Sequence, residues 1–460
     1  MGDAIGLSET LARHVATYDA AALPDTTIHA AKRALLDGIG VMLGASGVSS
    51  EVVPFVEYAI SGGHGDAAVL GHDVRVTPAM AAFANGAMAH ALDFEDAFDA
   101  APSHPNASLL PAVLATLGTA APVSGRELLT AIAIGCDLAC RIGLALTRDM
   151  EVGGWYPPPI RGAFGAVAAA ARIQRLSTRQ TLDAFSLLLC QTTMPGEIKY
   201  SADTVIRAVR EAFPAQSAVQ ASQLAARGVR GFDAPFEGKA GFFRLYADGH
   251  YDPSRLLDRL GEHFWIDRLT FKRWPACRGT HAYIEAAQYL RAQHSIDPAA
   301  IFAVTATGGE VQRMLVEPAD RKAAPTTAID AKFSIPFTVA AALLDDEVTL
   351  DSYDLASLAD VPKRDLAARV RFELRPDWGM AQAASGILSI QLADGVRYKH
   401  TIEDALGGPD RPIDDDRLTA KFRDCARRAK HPMSDAQAEQ LAAAIWSIDE
   451  AGDAAIALKL

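Results

Sequence analysis

The chain has 460 residues, of which half are hydrophobic and 22% are charged, with a net charge of −12 and a pI of about 5.5. This length exceeds the usual size of one hydrophobic core and predicts two domains. The acidic balance argues against a surface for nucleic acids or anionic membranes, because such a surface needs a basic face. A small anionic substrate stays possible, since a few local lysines and arginines can outweigh the global charge inside a cleft.

The sequence also predicts where the protein resides. The N-terminus has no basic segment followed by an apolar run, so we expect no secretory signal. The most apolar stretch, "LLTAIAIGCDLACRIGLAL", is interrupted by Asp137 and Arg141, so we expect no membrane span, which needs about 20 apolar residues. The five cysteines are sparse and odd in number, which argues against a disulfide framework. These features together predict a cytoplasmic protein.

Residues 1–267 are predicted to form a helical domain. Segments such as "TTIHAAKRALLDGIGVMLGA", "GRELLTAIAIGCDLACRIGLAL" and "GAFGAVAAAARIQRL" place apolar residues at helical spacing. Alanine and glycine on many faces predict helices that pack closely. Ser124 and Glu127 have the spacing of a capping box.

Residues 268–404 show a different pattern, typical of an α+β domain. The alternation in "ARVRFELRPD" predicts a half-buried strand. "GILSIQLADGVRYKHTI" predicts a hairpin that turns at Asp394-Gly395. Residues 405–460 return to a helical pattern and are predicted to complete the first domain. The expected fold class is therefore mainly α, with a large all-helical domain and a smaller α+β domain.

The stretch "AHALDFEDAFDAAPSHPNASLLPAVLA", residues 89–115, places charged residues inside an apolar region. His90 and Asp93 share a helical face if the helix extends that far, and His104 lies among prolines. An imidazole beside a carboxylate is typical of a general acid or base. The same residue types can bind a metal ion, and a solvated loop is the third interpretation.

A cationic cluster lies in "TFKRWPACRGTHAYIEAA", residues 270–287, directly before a predicted helix. Cations at a helix N-terminus are suited to binding carboxylate or phosphate groups. A charged interdomain linker is the alternative. The candidate residues are Lys272, Arg273, Cys277, Arg278 and His281.

Two further stretches are less specific. "GGWYPPPIRGAFGAV" contains Tyr156 in a loop stiffened by proline, and such loops often only cover a core. "GEIKYSADTVIRAVREAFPAQ" contains Lys199, Arg207 and Arg210, and the two arginines are spaced as on a solvated helix face. We find no nucleotide-binding glycine motif with a strand and helix around it, so no nucleotide cofactor is expected.

Taken together, these segments resemble the MmgE/PrpD family, which includes 2-methylcitrate dehydratase, cis-aconitate decarboxylase and iminodisuccinate epimerase. The matching pieces run in order from residue 31 to 353, and include "HALDFED…SHP" and "FKRWPACRGTH". The resemblance implies a helical domain with an α+β lid domain, an active site in the cleft between them, and a homodimer. It also implies a small polycarboxylate substrate, with no metal and no organic cofactor.

The resemblance further implies the site residues. Asp93, His104 and Lys272 match the family's motifs and would be catalytic, with Asp93 orienting His104. Tyr156 would exchange a proton on the opposite face of the substrate. Glu95, Asp96 and Asp99 are expected to face solvent or to cap the loop. The expected substrate-binding residues are Arg278, Arg273, His281, Lys199, Arg210 and Cys277.

The chain departs from the family's pattern at three positions. Tyr156, Glu211 and Cys277 stand where other members have histidine, lysine and histidine. A lyase that removes water from a 2-methylcitrate-like substrate is the main hypothesis. An epimerase for an iminodisuccinate-like dicarboxylate, a cis-aconitate-type decarboxylase and a catalytically silent carboxylate-binding relative are the alternatives.

Overall fold

The computed structural model describes residues 6–118, 120–201 and 204–459. About 59% of the chain is helical and 9% is in strands, which confirms the mainly-α fold class. The helices of the described residues are, in chain order, α1 Leu7–Thr17, α2 Asp25–Val48, α3 Val53–Ser61, α4 Pro78–Ala91, α5 Pro105–Leu117, α6 Gly125–Ala145, α7 Pro157–Ile173, α8 Thr178–Leu189, α9 Ile206–Val209, α10 Ala212–Ala226, α11 Phe242–Ala247, α12 Ser254–Leu257, α13 His281–His294, α14 Ala319–Ala323, α15 Ala328–Lys332, α16 Ile335–Leu344, α17 Leu355–Ala359, α18 Val361–Ala367, α19 Asp415–Arg427, α20 Asp435–Trp446 and α21 Ala454–Leu458.

The strands of the described residues form two small sheets. They are β1 His64–Ala68, β2 Arg75–Val76, β3 Ile301–Gly308, β4 Val370–Leu374, β5 Gly386–Leu392 and β6 Arg397–Ile402. The chain divides into two compact units. The first contains the residues up to Ala91, Glu95–Leu269 and the residues from Asp414 onward, and the second contains Leu92–Phe94 and Thr270–Ile413.

The first unit is built on helices that approach each other closely. A Cβ atom on Gly135 of α6 would lie 2.5 Å from the carbonyl oxygen of Gly165 of α7, and the reverse distance is also 2.5 Å. Helix α6 has the length and composition of a membrane span, but 89% of its apolar window is buried inside the protein. Two charged residues in its apolar middle, Asp137 and Arg141, form a buried ion pair at 2.6 Å. Helix α6 is therefore a core helix of this unit.

The first unit is not purely helical, so the expectation of an all-helical domain is wrong in this detail. Strands β1 and β2 pair antiparallel after α3. Two glycines account for the change from helix to strand after α3. Gly63 adopts a φ of +103°, and a Cβ on Gly65 would lie 2.5 Å from the carbonyl oxygen of Val76 on the paired strand. Such a close approach favours glycine, which has poor helix propensity.

The C-terminal helix α19 packs on α2 within the first unit. Lys421 of α19 lies 2.6 Å from Asp37 of α2, and both side chains are buried. Phe422 contacts the α2 backbone at Gly40, where an added Cβ would lie 3.0 Å from its ring. Helix α20 begins with the capping box of Ser434 and Gln437. The C-terminal segment is thereby joined to the N-terminal helices by a buried charge pair and by apolar contacts.

The second unit contains a four-stranded sheet in the order β4-β3-β5-β6. Strand β3 is parallel to β4 and antiparallel to β5, and β5 and β6 form the predicted hairpin. Gly395 in its turn has a φ of +90°. Helix α13 packs against this sheet, where the Tyr283 hydroxyl donates to the Thr307 carbonyl at 3.1 Å. Helix α16 is buried along most of its length and packs against α13.

Replacing Lys421 by methionine tests the buried pair between α2 and α19. We expect Lys421→Met to lower the free energy of unfolding by roughly 3 kcal/mol, because it leaves the Asp37 carboxylate buried without its cation. The double variant Asp37→Leu/Lys421→Met should recover most of this loss, since neither charge then stays buried. Chemical denaturation followed by circular dichroism measures both values.

Arg423→Met on the same helix is the control. Arg423 pairs with Glu439 on the surface, and removing such an exposed pair should change the free energy of unfolding by less than about 1 kcal/mol. Equal losses of unfolding free energy in Lys421→Met and Arg423→Met would contradict the larger contribution of the buried pair.

Candidate functional site

The candidate site begins where α4 ends. Helix α4 stops at Ala91, so Asp93 lies outside it and the condition for a helical face shared with His90 is not met. Asp93 adopts a φ of +47°, a left-handed conformation that few residues other than glycine tolerate and that aspartate tolerates better than most. The chain therefore turns sharply directly after α4, and the turn redirects the carboxylates that follow.

His104 lies in a cluster of buried charged groups in the first unit. Its Nδ1 is 2.9 Å from Glu95 Oε1 and 2.9 Å from the carbonyl oxygen of Asp96. Nδ1 of His90 contacts the same Glu95 oxygen, and the two imidazole rings are 4.9 Å apart. The His104 side chain is 17% exposed, whereas those of His90 and Glu95 are buried. His104 is thus the member of the cluster that solvent reaches.

The structure adds a partner of His104 and corrects an expectation about this loop. Glu95 is a carboxylate in contact with His104 Nδ1, and the orienting role predicted for Asp93 stays a prediction. Glu95 and Asp96 were expected to face solvent or to cap the loop, but both are buried, and Asp99 is partly exposed. The reason is the turn after α4, which directs this segment into the unit rather than away from it.

Arg210 and Glu211 complete the cluster from the start of α10. Arg210 was expected on a solvated helix face, but its side chain is buried, and its guanidinium contacts Nε2 of His90. Arg210 Nε donates to Glu211 Oε1 at 3.0 Å, and the Ser108 hydroxyl donates to the other Glu211 oxygen. The short helix α9 ends at Val209 and α10 begins at Ala212. This gap between the helices lets the side chains of Arg210 and Glu211 turn inward.

Burial shifts two carboxyl groups of the cluster toward their neutral forms. Burial, with the nearby Asp37 and Glu95 carboxylates, raises the pKa of Asp96 well above its usual value, and hydrogen bonding by Asn106 offsets this in part. Burial also raises the pKa of Glu211, against the opposing effect of Arg210 and Ser108. The protonated form of Asp96 is thereby favoured next to the Glu95 carboxylate.

Tyr156 and Lys199 lie on the Arg210 side of the first unit. The Arg210 guanidinium is 5.1 Å from the centre of the Tyr156 ring, and the Lys199 ammonium is 5.9 Å from it. Lys199 also pairs with Glu151 at 2.6 Å. Tyr156 precedes α7, with its backbone N–H donating to the Met194 carbonyl at 2.8 Å. The structure thus brings Tyr156, Lys199 and Arg210 together, and their predicted roles toward a substrate stay predictions.

The same cluster has residue types that can bind a metal ion. His90, Glu95 and His104 offer ligand atoms within 4.8 Å of one another, and two imidazoles with a carboxylate are typical of zinc or iron sites. The Arg210 guanidinium lies in contact with His90, and its fixed positive charge opposes a second cation there. The arrangement therefore suits a hydrogen-bonded acid–base cluster better than a metal centre.

The second unit has its own buried charged cluster. Lys272 is fully buried, and its ammonium donates to Asp93 Oδ1 at 2.7 Å and to the Asp93 carbonyl at 2.9 Å. Lys332 donates to the Leu92 carbonyl at 2.8 Å, and its ammonium lies 5.8 Å from the centre of the Tyr353 ring. Burial, with the nearby Asp93 and Asp345, raises the pKa of Tyr353. Two ammonium groups thus meet the backbone of residues 92 and 93.

The other predicted residues of the cationic stretch hold the second unit together. Arg278 donates to the carbonyls of Leu406 and Ala405 at 2.9 and 2.8 Å. His281 is fully buried, with Nε2 3.0 Å from the Ala276 carbonyl. Arg273 pairs with Glu347 and is partly exposed, and the Cys277 N–H donates to the Lys332 carbonyl at 3.0 Å. These contacts are structural, and the predicted binding roles stay predictions.

Sequence reasoning missed four contributors to these clusters. Glu95 was recognised only as a loop carboxylate, and Ser108, Lys332 and Tyr353 were not singled out. Lys332 and Tyr353 lie in the segment "KFSIPFTVAAALLDDEVTLDSY", whose lysine opens an otherwise apolar run. A lysine inside an apolar run is a signal of a buried charge, because such a residue needs a partner when the run is buried.

Family models match nearly the whole chain. The MmgE/PrpD N-terminal domain matches residues 9–254, and the MmgE/PrpD C-terminal domain matches residues 274–448. The chain belongs to the MmgE/PrpD family. Curated relatives include human cis-aconitate decarboxylase, 27% identical over 91% of this chain and 87% of that protein. Those of mouse (28% identical, 87% and 83%) and Aspergillus terreus (23% identical, 90% and 87%) are similar to it too.

Replacing Asp96 by asparagine tests the neutral form of this carboxyl group. The folded-state pKa of Asp96 is raised, so its ionisation destabilises the fold by an amount that grows as the pH rises above the unfolded value of about 4. We expect Asp96→Asn, which cannot ionise, to unfold at or above the wild-type temperature at pH 7. The difference should vanish near pH 4, and scanning fluorimetry from pH 4 to pH 8 measures it.

Asp37→Asn is the matched control, because Asp37 is a buried neighbour that pairs with Lys421. This variant should lower the unfolding temperature at pH 7, since Lys421 then loses its partner. An Asp96→Asn variant as unstable as Asp37→Asn at pH 7 would show that Asp96 is ionised.

Proposed function

We propose that this MmgE/PrpD protein is a lyase that decarboxylates an unsaturated tricarboxylate of the cis-aconitate type. The observation that carries the proposal is that cis-aconitate decarboxylases match 87–91% of the chain, which also has a part-exposed histidine held by a buried carboxylate. These relatives favour decarboxylation over the dehydration that the sequence analysis put first.

His104 is the proposed proton donor. When the bond to the departing CO₂ breaks, its electron pair passes into the carbon framework next to a remaining carboxylate. A protonated imidazole then delivers a proton to that carbon, which forms the new C–H bond. The buried Glu95 carboxylate lies 2.9 Å from Nδ1 of His104 and holds the imidazole in place for this transfer.

A hydro-lyase for a 2-methylcitrate-like substrate is the second candidate. The observation that favours it is Glu211, which is buried close to His104 and stands where decarboxylases of the family are expected to have lysine. A carboxyl group with a raised pKa can protonate a leaving hydroxyl group, which a dehydration needs and a decarboxylation does not.

Proton NMR in D₂O separates these candidates. Purified protein in EDTA is given cis-aconitate, 2-methylcitrate, citrate or iminodisuccinate in separate samples. We expect cis-aconitate to lose CO₂ and the product to carry deuterium at the newly protonated carbon. Loss of water from 2-methylcitrate with cis-aconitate unchanged would replace the proposal by the hydro-lyase, and exchange at the α-carbon of iminodisuccinate would identify an epimerase.

His104→Gln tests the proton donor. Glutamine keeps much of the side chain's shape but cannot transfer a proton, so we expect kcat on cis-aconitate to fall by roughly 10²–10⁴-fold. His64→Gln is the control, because His64 is exposed on the β1 strand, and it should keep wild-type turnover. Full activity of a folded His104→Gln enzyme would remove His104 from the mechanism.

A further inference from the structure

A row of hydrogen-bonded groups leads from Arg210 through His90 and Glu95 to His104 in the first unit. We propose that this row fixes the ring proton of His104 on Nδ1 and leaves Nε2 as its reacting atom. Arg210, His90 and Glu95 are then positioning residues, and Arg210 is not a ligand of the substrate. The inference rests on the proposed function only in that it names the reacting atom of His104.

The row begins at Arg210, whose proton state is certain. A guanidinium has five N–H donors, no acceptor and stays protonated in proteins. In its contact with Nε2 of His90, the guanidinium donates the hydrogen bond and this nitrogen accepts it. Since neutral imidazole carries one N–H, the proton of His90 lies on Nδ1.

Arg210 is itself held in place. Its Nε donates to Glu211 at 3.0 Å, its terminal nitrogen donates to the Arg207 carbonyl at 3.1 Å, and Ser108 fixes the far oxygen of Glu211. These partners satisfy donors of the guanidinium that would otherwise be available to a substrate. The buried position of the Arg210 side chain agrees with a structural rather than a ligand-binding role.

Glu95 links the proton position of His90 to that of His104. Nδ1–H of His90 donates to Glu95 Oε1, and the same oxygen lies 2.9 Å from Nδ1 of His104. The second neighbour of this His104 nitrogen is the Asp96 carbonyl oxygen at 2.9 Å. A carbonyl oxygen only accepts, so Nδ1 of His104 must also carry the proton. The free electron pair of neutral His104 is then on Nε2.

Nitrogen-15 NMR of protein labelled at the histidine rings tests the proposal without turnover. His104→Gln and His90→Gln identify the two sets of signals. We expect neutral His104 and neutral His90 each to show the Nδ1–H form, with the proton absent from Nε2. A neutral His104 with its proton on Nε2 would overturn the inference.

Two variants break the row at different points. Glu95→Gln puts an amide that can donate beside Nδ1 of His104, and we expect neutral His104 to populate both neutral forms. Arg210→Met removes the donor to Nε2, and we expect His90 to populate both neutral forms. An unchanged ring-proton position of His104 in Glu95→Gln, or an unchanged His90 in Arg210→Met, contradicts the proposal.

Matched controls separate these effects from general damage. Asp99→Asn removes a carboxylate from the same loop, and Arg227→Met removes an exposed arginine just after α10. Both should leave the His90 and His104 signals unchanged. Glu95→Asp keeps a carboxylate that only accepts and should restore much of the Nδ1–H form of neutral His104, and it decides the question if Glu95→Gln does not fold.

The activity measurement tests the proposed function, and the NMR measurement tests the row separately. If the histidine signals behave as expected but cis-aconitate is not turned over, the proposed function is wrong and the row stands. If cis-aconitate is decarboxylated but Glu95→Gln leaves the ring-proton position of His104 unchanged, the function stands and the row is wrong.

Discussion

Burying the Glu95 carboxylate is the constraint on which the candidate site depends. A carboxylate removed from water is stable only when donors surround it, because desolvation costs several kcal/mol per charge. Two imidazoles supply those donors, and both contact the same Glu95 oxygen. Arg210 supplies the compensating charge one group further away, and Glu211 in turn orients Arg210. The side chains around His104 are therefore determined together, and no member can be replaced without affecting the next.

A similar constraint applies in the second unit, where the buried charges are positive. Lys272 and Lys332 are buried cations, and they use the Asp93 carboxylate and the backbone carbonyls of residues 92 and 93 as acceptors. The left-handed turn at Asp93 presents both its carbonyl and its side chain to one ammonium group. A conformation that few residues tolerate is kept here because a buried lysine needs both acceptors.

Close helix packing gives the charged clusters a rigid support. Gly135 and Gly165 let α6 and α7 approach to backbone contact, and such interiors leave little freedom for side chains to rearrange. The charged pair of Asp37 and Lys421 fixes α19 on α2 in the same unit. Positions of a few tenths of an ångström matter for proton transfer, so this rigidity serves the chemistry proposed for His104.

The sequence by itself determined the fold class, because apolar spacing and strand alternation report which face of each element is buried. It also determined the hairpin at Asp394-Gly395 and the family, because "HALDFED…SHP" and "FKRWPACRGTH" place chemical groups at recognisable spacing. It located His104 and Lys272 as candidate groups for the same reason. Local patterns such as these depend on neighbours within a few residues.

Only the tertiary structure decided which charged groups meet. Arg210 had the spacing of a solvated face, yet it contacts His90, 120 residues earlier in the chain. Glu95 and Asp96 resembled loop carboxylates, yet the turn at Asp93 buries them. A hydrogen bond needs its two atoms within about 3 Å, and chain separation carries no information on such a distance. Partner choice, burial and proton position therefore follow from packing, not from local sequence.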